Sequence, residues 1–157
     1  MDLEQSIQTM FKFPDIFILC KQNNTDIYSY FRNNFGCENL PEDFLIFMSI
    51  FDGLKLNDLN IFSINSKNKP FVVQTFQEFS KDTDIDAYQE KIEIKSKNGL
   101  FFFATDNKGG RYAFKKQENY QKVCYIPTDS PRKVVVYETF TDLLSEKIEL
   151  AIKNCIL

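Results

Sequence analysis

The spacing of hydrophobic residues changes along this chain, and that change is the strongest constraint on its fold. Over roughly the first fifty residues, apolar side chains recur every three or four positions, which is typical of amphipathic helices. From Ile92 onward, short β-branched and aromatic runs alternate with turn residues, and helical spacing returns at Phe140. This order has no regular βαβ alternation. It predicts an α+β fold, with a mainly antiparallel sheet of about four to six strands and helices at both ends.

Three helices are predicted in the N-terminal third, each with residues that suit a helix end. Pro14 ends the first, because proline cannot continue a helix. Thr25 can cap the second, and Gly36 is placed as its C-terminal cap. Pro41 suits the start of the third, which Gly53 is expected to end. Their apolar faces are Leu3, Ile7, Met10 and Phe11; Ile27, Tyr30 and Phe31; and Phe44, Leu45, Met48 and Phe51.

The rest of the chain predicts short strands, a helical insertion and a closing helix. Thr75 and Glu78 have the spacing of a capping box. The segment 106–110 is predicted to be a hairpin turn, and Thr139 is expected to cap the last helix. The run at 15–20 fits either a helix or a strand. The strands are predicted at 59–64, 100–105, 111–114, 123–126 and 134–137.

Composition excludes several classes of enzyme. The 157 residues include no histidine, which removes Ser-His-Asp and Cys-His catalysis and His-ligated zinc. The five glycines form neither a dinucleotide-binding nor a Walker motif. No cofactor is expected, and an enzyme without histidine chemistry is the least favoured interpretation. The length fits one domain over residues 1–157.

Neither a secretory signal nor a membrane span is evident in the sequence. The N-terminus is acidic, and the longest uninterrupted apolar runs are far shorter than the roughly 20 residues a span needs. No two cysteines form a Cys-x-x-Cys motif, so all four are expected to be buried thiols in a reducing compartment. We therefore predict a cytoplasmic protein without a membrane partner. A strong preference for Lys over Arg suggests an AT-rich bacterial source.

The distribution of charge gives only weak support for nucleic-acid binding. Residues 95–133 carry a net charge of +6, whereas the rest of the chain carries −9. A basic hairpin with aromatic residues can contact phosphate. Lysines on exposed strands more often prevent edge-to-edge pairing, so no nucleic-acid partner is expected.

Three blocks of sequence together resemble the SUKH superfamily, which includes fungal cell-wall-assembly regulators of the Smi/Knr type and many bacterial toxin-immunity proteins. The first block, Ile27–Leu54, contains a Leu-Pro-x-Asp-aromatic helix start followed by Asp-Gly. The second, Phe102–Phe114, resembles the family's strand–Asp-x-x-Gly-Gly–strand hairpin, and Val134–Leu144 resembles its closing strand and helix. Residues 1–24 would be an N-terminal extension packed on the domain. The motif residues expected to have structural roles are Leu40, Pro41, Phe44, Gly53, Asp106, Gly109 and Gly110.

The resemblance implies a cytoplasmic immunity protein that binds and neutralises a cognate polymorphic or contact-dependent toxin, possibly a nuclease. It implies neither catalysis nor a cofactor, and we expect a monomer or a weak homodimer. The alternative is a protein-binding scaffold or regulatory module of the cell-wall-regulator type.

An acidic segment, 78–93, is the predicted partner-binding surface. It carries a net charge of −4, and such a patch would mainly speed association with a basic partner. The alternative is a solubilising acidic face. Four of its acids also have the spacing of a calcium loop, Asp82, Asp84, Asp86 and Glu93, but Ala87 stands where that loop needs glycine. The predicted partner-binding residues are Glu78, Asp82, Asp84, Asp86, Glu90 and Glu93.

Overall fold

The computed structural model describes residues 1–22, 26–56, 58–65, 74–82, 99–116, 119–128 and 134–156. The helices in this part of the chain are α1 (Leu3–Lys12), α2 (Ile27–Phe35), α3 (Glu42–Ile50), α4 (Phe76–Asp82) and α5 (Phe140–Ile156). The strands are β1 (Ile18–Lys21), β2 (Phe51–Lys55), β3 (Asn60–Ile61), β4 (Leu100–Thr105), β5 (Arg111–Lys115), β6 (Val123–Ile126) and β7 (Val135–Tyr137).

The seven strands form one antiparallel sheet in the order of the chain, from β1 to β7. Helices lie at both ends of the sequence, so the predicted α+β class is confirmed. The expected four to six strands were too few. The run at 15–20, which was open between helix and strand, contributes β1, and the chain after α3 contributes β2.

Gly53 does not end a helix, which corrects the role predicted for it. α3 ends at Ile50, and the backbone becomes extended at Phe51, the first residue of β2. Gly53 lies inside that strand with a φ of 96°, a conformation that side-chain-bearing residues rarely adopt. Phe51 and Leu54 follow α3 with apolar spacing that fits a helix as well as a strand, which explains the wrong boundary.

Phenylalanine rings fill the core between the sheet and the helices. Phe44 of α3 is fully buried and contacts Phe103, Phe114 and Phe140, with ring centroids 4.9–5.5 Å apart. Most of these contacts are edge-to-face, the geometry that the quadrupoles of aromatic rings favour. Phe44 therefore joins α3, the centre of the sheet and α5.

Most of the predicted helix caps are present. Gly36 adopts a φ of 66° and caps α2 at its C-terminus. Thr75 and Glu78 form the expected capping box, with the Glu78 amide 3.1 Å from the Thr75 hydroxyl oxygen. Thr139 Oγ1 accepts from the amide of Asp142 in α5. Asp26 caps α2 through Ser29, and Thr25 lies outside the described residues.

Three other expectations need correction. Pro41 is the N-cap of α3 rather than its first residue, since the helix begins at Glu42. Phe11 was assigned to the buried face of α1 but is 61% exposed, although its ring lies 5.5 Å from that of Phe51. Cys20, Cys37 and Cys124 are buried as expected, but Cys155 is exposed near the end of α5. None of the four cysteines forms a disulfide.

Helix α1 packs against α5 at the outer side of the fold. Met10 of α1 is fully buried and belongs to the main hydrophobic core. The N-terminal amine of Met1 lies 3.2 Å from Ser145 Oγ of α5. Residues before the first family-like block therefore contribute to the core.

Candidate functional site

Asp43 links the first turns of two helices. Its Oδ2 accepts from the Thr141 amide at 2.9 Å and from the Thr141 hydroxyl at 2.7 Å. Its Oδ1 lies 2.9 Å from the amide nitrogen of Phe44 in α3. Both helix N-termini favour a negative charge, so this carboxylate stabilises α3 and α5 together. The aspartate of the Leu-Pro-x-Asp motif is therefore part of the architecture.

Asp52 has a comparable role inside the sheet. It is fully buried in β2, and its carboxylate accepts from the amides of Ile64 at 2.6 Å and Asn65 at 2.9 Å. A buried carboxylate needs such donors, because an isolated buried charge is very costly. Asp52 thereby fixes the chain that follows β3.

Asp106 organises the β4–β5 hairpin turn. Its Oδ1 accepts from the amides of Lys108 at 2.8 Å and Gly110 at 2.6 Å, and its Oδ2 accepts from the Tyr125 hydroxyl of β6. A Cβ atom on Gly110 would lie 2.5 Å from Asp106 Oδ2 and 2.6 Å from the Tyr125 oxygen. A side chain at position 110 would therefore displace these two hydrogen-bonded groups, and Gly109 has a φ of 86°. The turn predicted at 106–110 is confirmed.

Hydrogen bonding thus commits the three motif aspartates to holding the fold. The apolar motif residues Leu40 and Phe44 are buried. Side chains that recognise a partner must instead be exposed to solvent.

An open groove lies between α2 and α3, and we call it the α2–α3 groove. Its deeper part has a volume of 370 Å³ and runs between α2 and the loop before α3. It continues into a shallower part of 660 Å³ that reaches the β5–β6 turn. The groove is lined by Tyr28, Phe31, Arg32, Cys37, Glu38, Asn39, Leu40, Glu42, Leu45, Asn119 and Gln121.

The groove combines an apolar floor with a polar rim. Leu40 and Leu45 are buried at its floor, whereas Tyr28 is 59% exposed. Arg32 lies one helical turn after Tyr28, and its guanidinium is 3.4 Å from Ser29 Oγ. Exposed Tyr and Arg beside buried leucines are the residue types that most often dominate binding energy in protein interfaces.

The turn that closes the groove has an uncommon backbone. Asn119 and Tyr120 have φ angles of 53° and 61°, the left-handed region that residues other than glycine seldom occupy. The Tyr120 hydroxyl and the Cys37 thiol are close enough to influence each other's pKa, which places this turn beside the loop before α3. Strained backbone of this kind is concentrated at functional sites in proteins.

The groove contains one thiol, that of Cys37, and two carboxylates, those of Glu38 and Glu42. Burial raises the pKa of the Cys37 thiol above its usual value, which disfavours the nucleophilic thiolate. Glu38 and Glu42 are exposed on the rim. Within the ranges the structure describes, no three His, Cys, Asp or Glu residues are placed to hold a metal ion.

The predicted acidic surface lies mostly outside the described residues. Of its members, the structure places the side chain of Glu78 alone, in the capping box with Thr75. The side chains of Asp82, Asp84, Asp86, Glu90 and Glu93 are not among those described, so the calcium-like spacing also falls outside this part of the chain. Gln77 of α4 contacts Asn34 of α2 at 3.3 Å, so the start of the acidic segment lies next to the C-terminal end of α2.

Sequence reasoning missed the groove because its walls come from distant parts of the chain. Asn119 and Gln121 are about eighty positions from Glu38 and Leu40. α2 did contain a usable signal. Tyr28 and Arg32 lie on one face of this helix, and its buried apolar residues do not occupy that face.

Comparisons with known proteins place this fold in a family. Among the residues described, no helix combines the length and apolar character needed to cross a bilayer. No characterised protein among those compared matches the chain. The model of the SMI1 / KNR4 family (SUKH-1) matches residues 23–146, which include the Leu-Pro-x-Asp helix start, the Asp106 hairpin and the first turns of α5. Since the match covers about four-fifths of the sequence, the chain belongs to the SMI1 / KNR4 family (SUKH-1).

Proposed function

We propose that this protein is an immunity protein that binds a cognate toxin domain in the cytoplasm and blocks the toxin's active site. The observation that carries the proposal is the α2–α3 groove, an open surface with exposed Tyr28 and Arg32 over a leucine floor. Family membership supports a binding module rather than an enzyme. The toxin itself would be polymorphic or contact-dependent, and a nuclease fits the acidic character of the chain.

Inhibition by occlusion needs no catalysis and no cofactor. A stable complex of this kind buries about 1,200–2,000 Å² of surface in total, so residues outside the groove would also contact the toxin. The groove would supply the central anchors. The acidic segment, 78–93, would steer a basic toxin surface toward it, because like charges within about 8 Å act as one patch at physiological salt.

The test is co-expression with the C-terminal domain of the toxin encoded next to this gene. Wild-type protein is expected to rescue growth and to form a complex that survives size-exclusion chromatography. Tyr28→Ala and Arg32→Glu are each expected to weaken binding at least tenfold, with far-UV circular dichroism unchanged. Lys12→Glu, at the end of α1, serves as a charge-matched control outside the groove.

Two results would contradict parts of this proposal separately. Failure of wild-type protein to rescue growth or to form a complex would refute immunity against that toxin. Rescue with full binding by both groove variants would refute the groove as the docking surface while leaving immunity intact. Asn substitutions at Asp82, Asp84 and Asp86 test steering, since they are expected to slow association at low salt.

A scaffold or regulatory role is the second candidate, and the family assignment itself supports it. Such a module would bind several host proteins and give no protection against a toxin. Affinity capture with wild-type protein, compared with the Tyr28→Ala variant, distinguishes the two roles. Several groove-dependent host partners and no growth rescue would favour the regulatory module.

A further inference from the structure

The two parts of the α2–α3 groove differ in charge. Arg32 lines the deeper part, together with Glu38. Glu38 also lines the shallower part, where Glu42 joins it. Among the residues that the structure describes, no lysine or arginine lines the shallower part. That part therefore carries two negative charges and no positive one.

The two glutamates are exposed, and neither has an ion-pair partner within the described part of the chain. The charge of Arg32 is directed toward the start of α2. Its guanidinium lies 3.4 Å from Ser29 Oγ, and the pKa of the Asp26 carboxyl is lowered by hydrogen bonds from Ser29 and by the charge of Arg32. The carboxylates of Glu38 and Glu42 are thus open to a cation that a partner brings.

A role in helix stability does not explain both acids. Glu42 is the first residue of α3, where a negative charge favours the helix. Glu38 lies four positions before the helix begins, in the loop that forms the wall of the groove. Its position beside Glu42 is therefore better explained by recognition of a positive group.

The shallower part also offers the other contacts that a guanidinium makes. Tyr28 is 59% exposed, and a guanidinium stacks on the face of such a ring. A guanidinium has five N–H donors in one plane, which suits several oxygen acceptors better than the compact ammonium of lysine does. Amide side chains with such oxygens line the same part of the groove, from Asn39, Asn119 and Gln121.

We propose that the shallower part of the α2–α3 groove binds an arginine side chain of the toxin, with Glu38 and Glu42 as its carboxylate partners and Tyr28 against the guanidinium plane. The proposal rests on the proposed function, because it names the group that the groove recognises. The deeper part, with Leu40 and Leu45 buried at its floor, receives an apolar side chain next to that arginine.

Two short peptides test this arginine subsite without a toxin. They are the acetylated, amidated dipeptides leucyl-arginine and leucyl-citrulline, of which the second is a neutral analogue of nearly the same shape. Each is titrated to about 10 mM into isotope-labelled protein while amide chemical shifts are recorded, a range that covers weak binding. The arginine peptide is expected to shift the amides of Glu38, Asn39 and Asn119 saturably, and the citrulline peptide to bind at least about fivefold more weakly.

The variant that tests the two carboxylates is Glu38→Gln/Glu42→Gln, which keeps the size of both side chains. It is expected to lose the preference for the arginine peptide and to bind the toxin domain about tenfold more weakly. Glu149→Gln, at an exposed position of α5 outside the groove, is the matched control for loss of an acid and is expected to behave as the wild type does. Far-UV circular dichroism verifies that each variant is folded.

Equal binding of the two peptides overturns the proposal, and so does an arginine preference that survives in the double variant. Full toxin affinity in the double variant overturns it as well. None of these results contradicts immunity, which fails when wild-type protein neither rescues growth nor forms a complex. Failure of immunity against that toxin would in turn leave the peptide titrations as an independent test of the subsite.

Discussion

Asp43→Ala is expected to destabilise the fold by about 2–4 kcal/mol, because one carboxylate completes the first turns of both α3 and α5. Its two oxygens accept three hydrogen bonds, two of them from Thr141 across the helix pair. A helix-capping bond contributes about 1 kcal/mol, and bonds to a charged group about 1.5–3 kcal/mol. Asp43 is half-buried, so each bond is expected at the lower end of its range.

Two further variants separate the hydrogen bonds between Asp43 and Thr141 from the general contribution of an acid in the first turn of α3. Thr141→Val keeps the shape of the side chain and the amide but removes the hydroxyl donor, at an expected cost of about 1 kcal/mol. Glu42→Ala is the matched control. Glu42 is exposed in the same first turn of α3, so its loss removes little more than a helix-dipole contribution of about 0.3–1 kcal/mol. The Asp43→Ala/Thr141→Val double mutant measures the coupling directly.

Urea unfolding followed by circular dichroism at neutral pH gives these free energies. For a chain of this length, 1 kcal/mol corresponds to a change of about 2–4 °C in Tm. The reasoning is refuted if Asp43→Ala costs no more than Glu42→Ala, or if the double-mutant cycle shows no coupling between Asp43 and Thr141.

Gly110→Ala is expected to cost about 2 kcal/mol or more, since the added Cβ would meet Asp106 Oδ2 at 2.5 Å; a Tm equal to that of the wild type would contradict this. Glu78→Ala is expected to lower the unfolding free energy by about 1 kcal/mol through loss of the capping box with Thr75, measured by urea unfolding. Burial raises the pKa of Tyr120 from its usual 10.0 to about 12. The folded state therefore keeps a proton that the unfolded state loses, so this contribution is complete below pH 10 and disappears as the pH rises toward 12. Tyr120→Phe is expected to flatten the fall in stability over that interval.

The fold class and most local features were predictable because they depend on short-range chemistry. The capping box at Thr75, the C-terminal cap at Gly36 and the turn at 106–110 each involve residues within a few positions of one another. The same reasoning failed at Gly53. A glycine after an apolar helical segment resembles a helix end, and only the pairing of β2 with β1 and β3 reveals a strand.

The contacts that join distant elements could not be predicted from a single sequence, although Tyr28 and Arg32 marked one wall of the groove. Asp43 and Thr141 are 98 positions apart, so the spacing of residues along the chain does not show that they hydrogen-bond. The α2–α3 groove likewise depends on how the β5–β6 turn packs against the loop before α3, through Tyr120 and Cys37. Tertiary packing decides both, so each became visible only when the elements were assembled.

The sequential order of the seven strands also has a consequence for synthesis on the ribosome. Each strand pairs with the one made just before it, so the sheet can form in the order of translation. The core does not follow that order. Phe44 and Phe47 contact Phe140 of α5. These two rings therefore remain partly unpacked until the last helix has left the exit tunnel. We therefore expect nascent chains that end before α5 to expose this aromatic surface and to be the species that chaperones recognise.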